Sequence, residues 1–206
     1  PLALCGHDGR SYSIEPLTRD VALTDTADLL RLHNSIPYVQ WTEKELLAEA
    51  SSEGHPFRLK WGLSLVARHN RRPVGFLITY LRAPSPRHPM QAAYIHRLAV
   101  DPEHQRNGLA TQLSSAAISL YFEAMPWLLT VSVQTNDEER NVHVLDLYRR
   151  LGFRRCYRLT YPEKHDWLME ITRDEYIRGG HLISGRRDTR APVVAPQSIK
   201  PLPDPF

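Results

Sequence analysis

The chain has 206 residues, enough for one domain of ordinary size, and its 42% hydrophobic and 24% charged residues are typical of a globular protein. This composition argues against a chain that is disordered throughout, and no apolar run reaches the roughly 18–20 residues that a membrane-spanning helix needs. Two cysteines, Cys5 and Cys156, are too few for a disulfide scaffold and favour a reducing, cytoplasmic environment.

The formal net charge of +3 is concentrated at the C-terminal end. Residues 178–206 contain five Arg or Lys against two Asp, so the rest of the chain is close to neutral. A nucleic-acid-binding face needs clustered basic charge on a folded surface, so we expect none and interpret this segment as a solvated, Pro-rich basic tail. The first residues lack the basic and long apolar regions of a signal peptide.

The first half of the chain predicts short helices and strands. Residues 1–12 are predicted to form a leader, loose over residues 1–11, and a strand follows at Ser13–Leu17. Thr42 and Glu45 have the spacing of a capping box at a helix start. The other elements are a helix from Asp25 or Thr26 to Leu32 or Asn34, stopped by Pro37, and a hairpin of strands 63–68 and 74–81 around the polar turn 69–73.

The second half predicts a similar alternation after a proline-rich loop at residues 82–90. Its elements are strand 92–100, helix 108–124, strand 128–133, helix 141–151 closed by Gly152, and two strands at 153–161 and 167–172. Interleaved helices and hairpins imply a mixed α/β sheet with helices on its faces. We expect one domain at residues 13–177, followed by the tail at 178–206.

The most informative stretch joins strand 92–100 to the next helix. Gln105, Gly108 and Ala110 lie there in the pattern Gln-x-x-Gly-x-Ala. The unpaired N–H groups and partial positive charge of such a helix start bind phosphate, and the glycine lets a ligand oxygen approach the backbone. The glycine patterns of dinucleotide-binding and P-loop proteins do not occur in the sequence.

A second motif lies in the next predicted helix, where Asn141, Tyr148 and the pair Gly152-Phe153 follow one another. Together the two motifs resemble those of the GNAT superfamily of acyl-CoA-dependent N-acyltransferases, and the order of elements from Ser13 to Thr172 is similar as well. The resemblance implies a GNAT-like α/β fold: a mixed, largely antiparallel central sheet with a splayed strand pair and helices on both faces.

The resemblance also implies acetyl-CoA as cosubstrate and assigns residues to its binding. Backbone groups of Leu98, Ala99 and Val100 would pair with the pantetheine arm like an added strand. Asn141 would lie beside that arm, with Asn136 as a competitor because the loop between them is long. The diphosphate would be held by backbone amides of Gln105, Arg106, Asn107, Gly108, Leu109, Ala110 and Thr111.

Acyl transfer from a thioester to an amine needs a neutral amine, a polarised carbonyl group and a proton for the departing thiolate. The resemblance places Tyr148 near the thioester sulfur, where an uncharged phenol can donate that proton. A backbone N–H near Leu98–Val100 is the natural donor to the carbonyl oxygen.

The candidate base is His96, since an imidazole has an ordinary pKa of about 6.5. Strand alternation predicts Tyr94, His96, Leu98 and Val100 on one face, and Ile95, Arg97 and Ala99 on the other. The stretch is similar to the strand of arylalkylamine N-acetyltransferases in which a histidine at this position helps to accept the amine proton. Other superfamily members use a glutamate at the position of Tyr94, so Tyr94, deprotonation in solution and a structural role for His96 stay open.

The sequence says less about where the amine acceptor would bind. By resemblance, residues His33–Thr42 border the acceptor pocket, and Ile36–Lys44 is similar to a loop of N-terminal acetyltransferases that act on a ribosomal-protein alanine. Tyr38 and Trp41 are equally suited to substrate contact and to local core. The histidines lack metal-ligand spacing, so we expect no metal.

We therefore expect an acetyl-CoA-dependent N-acetyltransferase that acts on a primary amine, either a small molecule or a protein N-terminus or lysine. The alternatives are transfer of a longer acyl group, a non-catalytic acyl-CoA-binding sensor of the same fold, and docking on RNA or the ribosome through the tail. We expect a monomer or homodimer, with neither a membrane nor a nucleic acid as partner.

Overall fold

The computed structural model describes residues 1–36, 40–49, 57–84, 91–136, 141–160 and 165–184, without the side chains of 57, 58 and 180–184. The strands are β1 Leu2–Cys5, β2 Ser11–Pro16, β3 Phe57–Arg58, β4 Leu65–His69, β5 Arg72–Arg82, β6 Ala92–Val100, β7 Thr130–Asn136, β8 Arg154–Thr160 and β9 His165–Thr172. The helices are α1 Arg19–Thr24, α2 Thr26–Asn34, α3 Glu43–Leu47, α4 Lys60–Leu63, α5 Leu109–Ala124, α6 Val142–Arg150 and α7 Arg173–Ser184, with a 3-10 turn at Pro102–His104.

These strands form a single sheet in the order β1-β2-β4-β5-β6-β7-β9-β8, and β3 pairs with β5 outside that path. The pairs are antiparallel except β6–β7, which is parallel because α5 connects the two strands as a crossover. The expected mixed, largely antiparallel sheet is therefore confirmed.

Helices cover both faces of this sheet. On one face, Leu113 of α5 and Leu145 of α6 are buried in the larger hydrophobic cluster. On the other face, Leu29 of α2 and Leu46 of α3 are buried with Phe76 of β5 in the second cluster. We call these the α5–α6 face and the α2–α3 face; the expected two-sided arrangement is confirmed.

The two parallel strands separate part-way along their length. Their register runs from Ala92↔Thr130 to Ile95↔Val133 and then stops, although both strands continue. Beyond that point β6 stays paired with β5, and β7 stays paired with β9. The expected splayed strand pair is confirmed, and it leaves the second half of β6 with an open edge towards β7.

A β-bulge interrupts β6 just where the strands separate. Ile78 of β5 lies opposite Arg97, and the next residue, Thr79, lies opposite Ile95, so His96 is an extra residue without a register partner. A bulge of this kind shifts the alternation of side chains by one position and re-aims those around it.

Tyr94 and His96 share the α2–α3 face as predicted, but the bulge makes the predicted alternation wrong beyond His96. Residues packed on the α5–α6 face are Ala93, Ile95, Leu98 and Val100, whereas Tyr94 and Ala99 pack on the α2–α3 face. His96 therefore does not share a face with Leu98 and Val100. Arg97, predicted for the face opposite His96, has its guanidinium 5.5 Å from the ring of Trp41, which packs on the α2–α3 face.

Two N-terminal elements differ from the prediction. Leu2–Cys5 pairs with β2, from Leu2↔Ile14 to Cys5↔Ser11, so residues 1–11 carry an edge strand and are not uniformly loose. Helix α1 has Thr18 as its N-cap, whose side chain accepts from the N–H of Val21. The prediction missed this helix because it began the helical segment at residue 25.

At the C-terminal end the structure adds helix α7, which crosses the predicted boundary between residues 177 and 178. The Thr172 hydroxyl accepts from the N–H of Glu175, and the Glu175 carboxylate accepts from the N–H of Thr172. This capping box was readable as Thr-x-x-Glu, and the prediction overlooked it.

Two of the predicted helix-end signals are confirmed. The capping box of Thr42 and Glu45 is present, and Gly152 follows α6 with a φ of +94°, as its predicted closing role requires.

Pro73 lies in β5 instead of the turn, which consists of Asn70 and Arg71 at positive φ. Pro37 and residues 191–206 lie outside the described residues, and the helices of the described part include none long and apolar enough to span a membrane.

Candidate active site

The loop between β6 and α5 is held by hydrogen bonds to strands β5 and β6 and by an ion pair with α2. The N–H of Asp101 donates to the carbonyl of Val74, and Gln105 Nε2 donates to the carbonyl of Val100 at 3.0 Å. Arg31 Nη1 donates to Asp101 Oδ2 at 2.7 Å. Burial favours the neutral carboxyl, but the Arg31 hydrogen bond and charge, together with the N–H of Glu103, outweigh it and keep the pKa of Asp101 below its usual value.

Helix α5 begins in a geometry suited to an anion. Arg106 and Gly108 have positive φ values of +61° and +82°, and Gly108 is the N-cap residue. No side chain caps this helix start, and its first turn contains no acidic residue. The first N–H groups of the helix therefore face outward with a partial positive charge, as the predicted phosphate-binding role requires.

A hairpin turn that the sequence prediction missed lies against this loop. A Cβ at Gly108 would approach His7 Nε2 to 3.3 Å, and Arg10 Nη1 donates to the carbonyl of Glu103. Tyr12 Oη lies 3.1 Å from Nδ1 of His104, whose pKa is lowered by burial and by neighbouring cations. These contacts join residues distant in sequence, so no local pattern could have indicated them.

The two asparagines predicted as alternatives for binding the pantetheine arm lie together. Asn141 is the N-cap residue of α6, and its Nδ2 donates to Oδ1 of Asn136 at the end of β7. The hydrogen bond bridges the segment 137–140, which lies outside the described residues. The structure therefore places both predicted amides at the end of β7, beyond the point where β7 separates from β6.

Tyr148 lies on α6 with only 2% of its surface exposed, and its ring makes an edge contact with Phe153. Burial raises the pKa of Tyr148 far above its usual value, and the nearby phenol of Tyr94 adds a smaller effect of the same sign. The hydroxyl of Tyr148 thus keeps its proton over the whole physiological pH range. It has the protonation state that a general acid needs.

Trp41 is the centre of an aromatic and cationic cluster on the α2–α3 face. Its ring stacks on the buried His33 at 4.0 Å and 11° between planes, and the ring of His96 lies 6.0 Å away. Asn34 fixes the tryptophan by exchanging two hydrogen bonds with its backbone. Burial lowers the pKa of His33, which favours its neutral form. Tyr38 lies outside the described residues.

Lys60 is buried beneath this cluster and was not singled out from the sequence. Its Nζ donates to the carbonyls of Leu46 and Ala48 at the end of α3 and lies 4.5 Å from the ring of Trp61. Burial lowers the pKa of Lys60 to about 8. The ammonium satisfies carbonyls at the end of α3 and so ties α3 to α4.

This lowered pKa predicts a pH-dependent stability. Unfolding restores the ordinary pKa of 10.5, so between pH 8 and that value the unfolded chain binds more protons and stability rises with pH. Relative to Lys60→Met, the free energy of unfolding of the wild type should increase by about 3 kcal/mol across that interval. Urea unfolding at several pH values measures this, with exposed Lys44→Met as the control for loss of one charge; parallel curves for wild type and Lys60→Met would contradict it.

Comparison with known families explains the arrangement. Residues 26–153 match the profile of the Acetyltransferase (GNAT) family, which is more than half of the chain. The chain belongs to the GNAT acetyltransferase family. A comparison with curated protein sequences found no match. In the described part of this GNAT chain, no group of three or more His, Cys, Asp or Glu side chains is placed to hold a metal ion.

Solved structures with the same fold include several N-acetyltransferases. The ribosomal-protein-S18-alanine N-acetyltransferase of Escherichia coli aligns with a TM-score of 0.59 at 18% identity, covering 78% of this chain and 93% of its own. Ard1 of Thermoplasma volcanium gives 0.61 at 19%, covering 78% and 97%. Arabidopsis thaliana NAA60 in complex with acetyl-CoA gives 0.59 at 17%, covering 78% and 99%. At this identity the likeness establishes the GNAT fold.

Proposed function

We propose that this GNAT protein transfers the acetyl group of acetyl-CoA to a primary amine in the cytoplasm. The observation that carries the proposal is the combination of splayed strands with an uncapped start of α5 at Gly108. An open strand edge can pair with the amide groups of pantetheine, and the helix start can hold a diphosphate. Acetyl-CoA supplies an activated thioester, and the chain supplies binding groups and protons.

On the cofactor side, we assign the backbone of Leu98, Ala99 and Val100 to the pantetheine arm. Gln105 already donates to the carbonyl of Val100, so this carbonyl is shared with a side chain of the loop. Asn141 lies at the same end of the splay and can donate to the arm once its bond to Asn136 opens. The amides of residues 105–111 hold the diphosphate.

For the chemistry, we assign Tyr148 as the proton donor to the departing thiolate and a backbone N–H of residues 98–100 as the donor to the carbonyl oxygen. His96 is assigned as the acceptor of the amine proton. Its ring lies 5.9 Å from that of Tyr94 and 5.4 Å from that of Tyr80, in half-buried surroundings on the α2–α3 face. Tyr94 is the alternative route for this proton.

The deciding assay is release of free CoA from acetyl-CoA with a panel of small amines and N-terminal peptides. Acceptor-dependent release supports the transferase. Acetyl-CoA binding without turnover of any acceptor would favour a sensor of the same fold. A longer acyl-CoA that outperforms acetyl-CoA would reassign the donor.

The proposed base predicts a specific change in pH dependence. His96→Ala should remove an ionisation near neutral pH from the kcat/KM profile, since imidazole titrates there. Activity should recover as pH rises, because the free amine then forms without help from the protein. Full pH–rate profiles of the wild type, His96→Ala and Tyr94→Phe measure this; an unchanged profile in His96→Ala would make the histidine structural.

A further inference from the structure

One asparagine at the end of α2 holds three polar groups on the α2–α3 face. Asn34 is the last residue of α2, and its Oδ1 accepts from the N–H of Trp41 at 2.9 Å. Its Nδ2 donates to the carbonyl of Trp41 at 3.2 Å, and the same Oδ1 lies 3.1 Å from Nδ1 of His33. A single side-chain amide therefore binds the backbone of Trp41 and the ring of His33 at the same time.

These hydrogen bonds fix both the orientation of the Asn34 amide and the tautomer of His33. A reversed amide would bring two N–H donors together on one side of Trp41 and two carbonyl oxygens together on the other. Because an amide oxygen can only accept, Nδ1 of His33 carries a proton. Its Nε2 is buried without a hydrogen-bond partner among the described residues, and burial lowers the pKa of His33, so the ring is neutral.

The indole of Trp41 connects this arrangement to the assigned base. It stacks on the neutral ring of His33 and lies 6.0 Å from the ring of His96, with 21° between the two planes. Within the described part of the chain, the two hydrogen bonds of Trp41 are both made with Asn34. The position of the indole beside His96 therefore depends on the asparagine.

We propose that Asn34 is a positioning residue for the amine half of the reaction, which acts through Trp41 on the orientation of His96. This inference rests on the proposed function, because it concerns the base assigned there. Without the Asn34 amide, Trp41 is released from the end of α2, and the imidazole beside it loses a fixed neighbour. A misplacement of about 1 Å in a reacting group can lower a rate by about 10²-fold.

The charged and titratable groups around these rings stay in place when Asn34 is replaced. They are His33 of α2, Glu45 of α3, Lys60 of α4, Tyr80 of β5, and Tyr94 and Arg97 of β6. Asn34 itself is uncharged, so a neutral substitution changes the geometry and not the number of charges. A difference in pH dependence between the wild type and such a variant therefore reports the placement of the base.

Asn34→Leu removes the amide at similar volume and tests the proposed role. Near neutral pH, kcat/KM for an amine accepted by the wild type should fall at least about tenfold, while the KM of acetyl-CoA stays unchanged. The loss should shrink as pH rises, because an amine that is already neutral does not need the base. Asn34→Asp keeps an oxygen acceptor for both N–H groups and lacks the donor, so it should retain part of the activity.

Ser35→Ala is the matched control. The hydroxyl of Ser35 donates to the carbonyl of Leu32 at 2.7 Å, so its removal also costs a hydrogen bond at the end of α2. It makes no bond to Trp41, and this variant should keep the kcat/KM of the wild type.

A double-mutant cycle with His96→Ala separates positioning from a general loss of structure. If Asn34 acts through His96, Asn34→Leu should cause no further loss of kcat/KM in the His96→Ala background. Equal losses in the two backgrounds, or a rise in the KM of acetyl-CoA alongside the loss, overturn the positioning role and leave acetyl transfer intact.

The ring protons of His96 give a readout that does not need turnover. Their NMR signals, assigned by their absence in His96→Ala, are shifted by the nearby indole of Trp41. These signals should move in Asn34→Leu and keep their positions in Ser35→Ala; unmoved signals in Asn34→Leu overturn the proposal. If no amine is acetylated, the proposed function fails, and the movement or constancy of these signals then supports or overturns the placement of His96 by Asn34.

Discussion

Replacing Tyr148 by Phe should lower kcat by up to about 10²–10⁴-fold while acetyl-CoA affinity changes little. The phenol is buried, so its pKa is raised and its hydroxyl stays protonated. That hydroxyl can donate a hydrogen bond to the departing thiolate and so stabilise the negative charge that develops on the sulfur. Phenylalanine fills the same space against Phe153, so only the hydroxyl is lost. Single-turnover rates and acetyl-CoA titrations of the two proteins measure the separate effects.

Tyr121→Phe is the matched control for this experiment. Tyr121 is also fully buried on the α5–α6 face, and its hydroxyl donates to the carbonyl of Leu63 and lies 2.6 Å from Thr79 Oγ1. Its removal should reduce stability by about 1–3 kcal/mol and leave turnover intact. Near-wild-type turnover in Tyr148→Phe would mean that the thiolate leaves unprotonated, and α6 would then serve cofactor binding alone.

Local sequence patterns predicted the elements around the site because interactions between neighbouring residues determine where those elements begin and end. The strand of residues 92–100 has the predicted bounds, and Gly108 and Gly152 lie at the helix ends where a positive φ is needed. The capping box of Thr42 and Glu45 is also an interaction between near neighbours in sequence. Each of these signals lies within one short stretch of chain, so the sequence alone is enough to detect it.

The direction of side chains on β6 could not be read in the same way. The bulge at His96 is a property of the pairing between β5 and β6, and alternation within β6 alone predicts the wrong face for Leu98 and Val100. The same holds for Arg97, whose place beside Trp41 depends on that bulge. Long-range contacts, and not local propensity, decide which face of the sheet each side chain of β6 occupies.

Replacing Gly108 by Val should abolish the stabilisation of this protein by acetyl-CoA. In the wild type, acetyl-CoA at 100 times its dissociation constant should add about 2.7 kcal/mol to the free energy of unfolding, while NAD and ATP add little. The φ of +82° disfavours any β-branched residue, and its side chain would meet His7 over the start of α5. Both effects displace the N–H groups that we assign to the diphosphate.

Gly9→Val separates backbone strain from loss of the site. Gly9 has a similar φ of +78°, but a Cβ there has no atom within 4 Å, so the variant should carry the strain and keep the full acetyl-CoA response. Thermal unfolding of each protein with and without acetyl-CoA measures the response against its own baseline. An undiminished response in Gly108→Val would show that the diphosphate does not bind at the start of α5. If acetyl-CoA does not stabilise the wild type, the protein does not bind it and the proposed donor is wrong. A ligand that binds only the native state must raise the stability of that state.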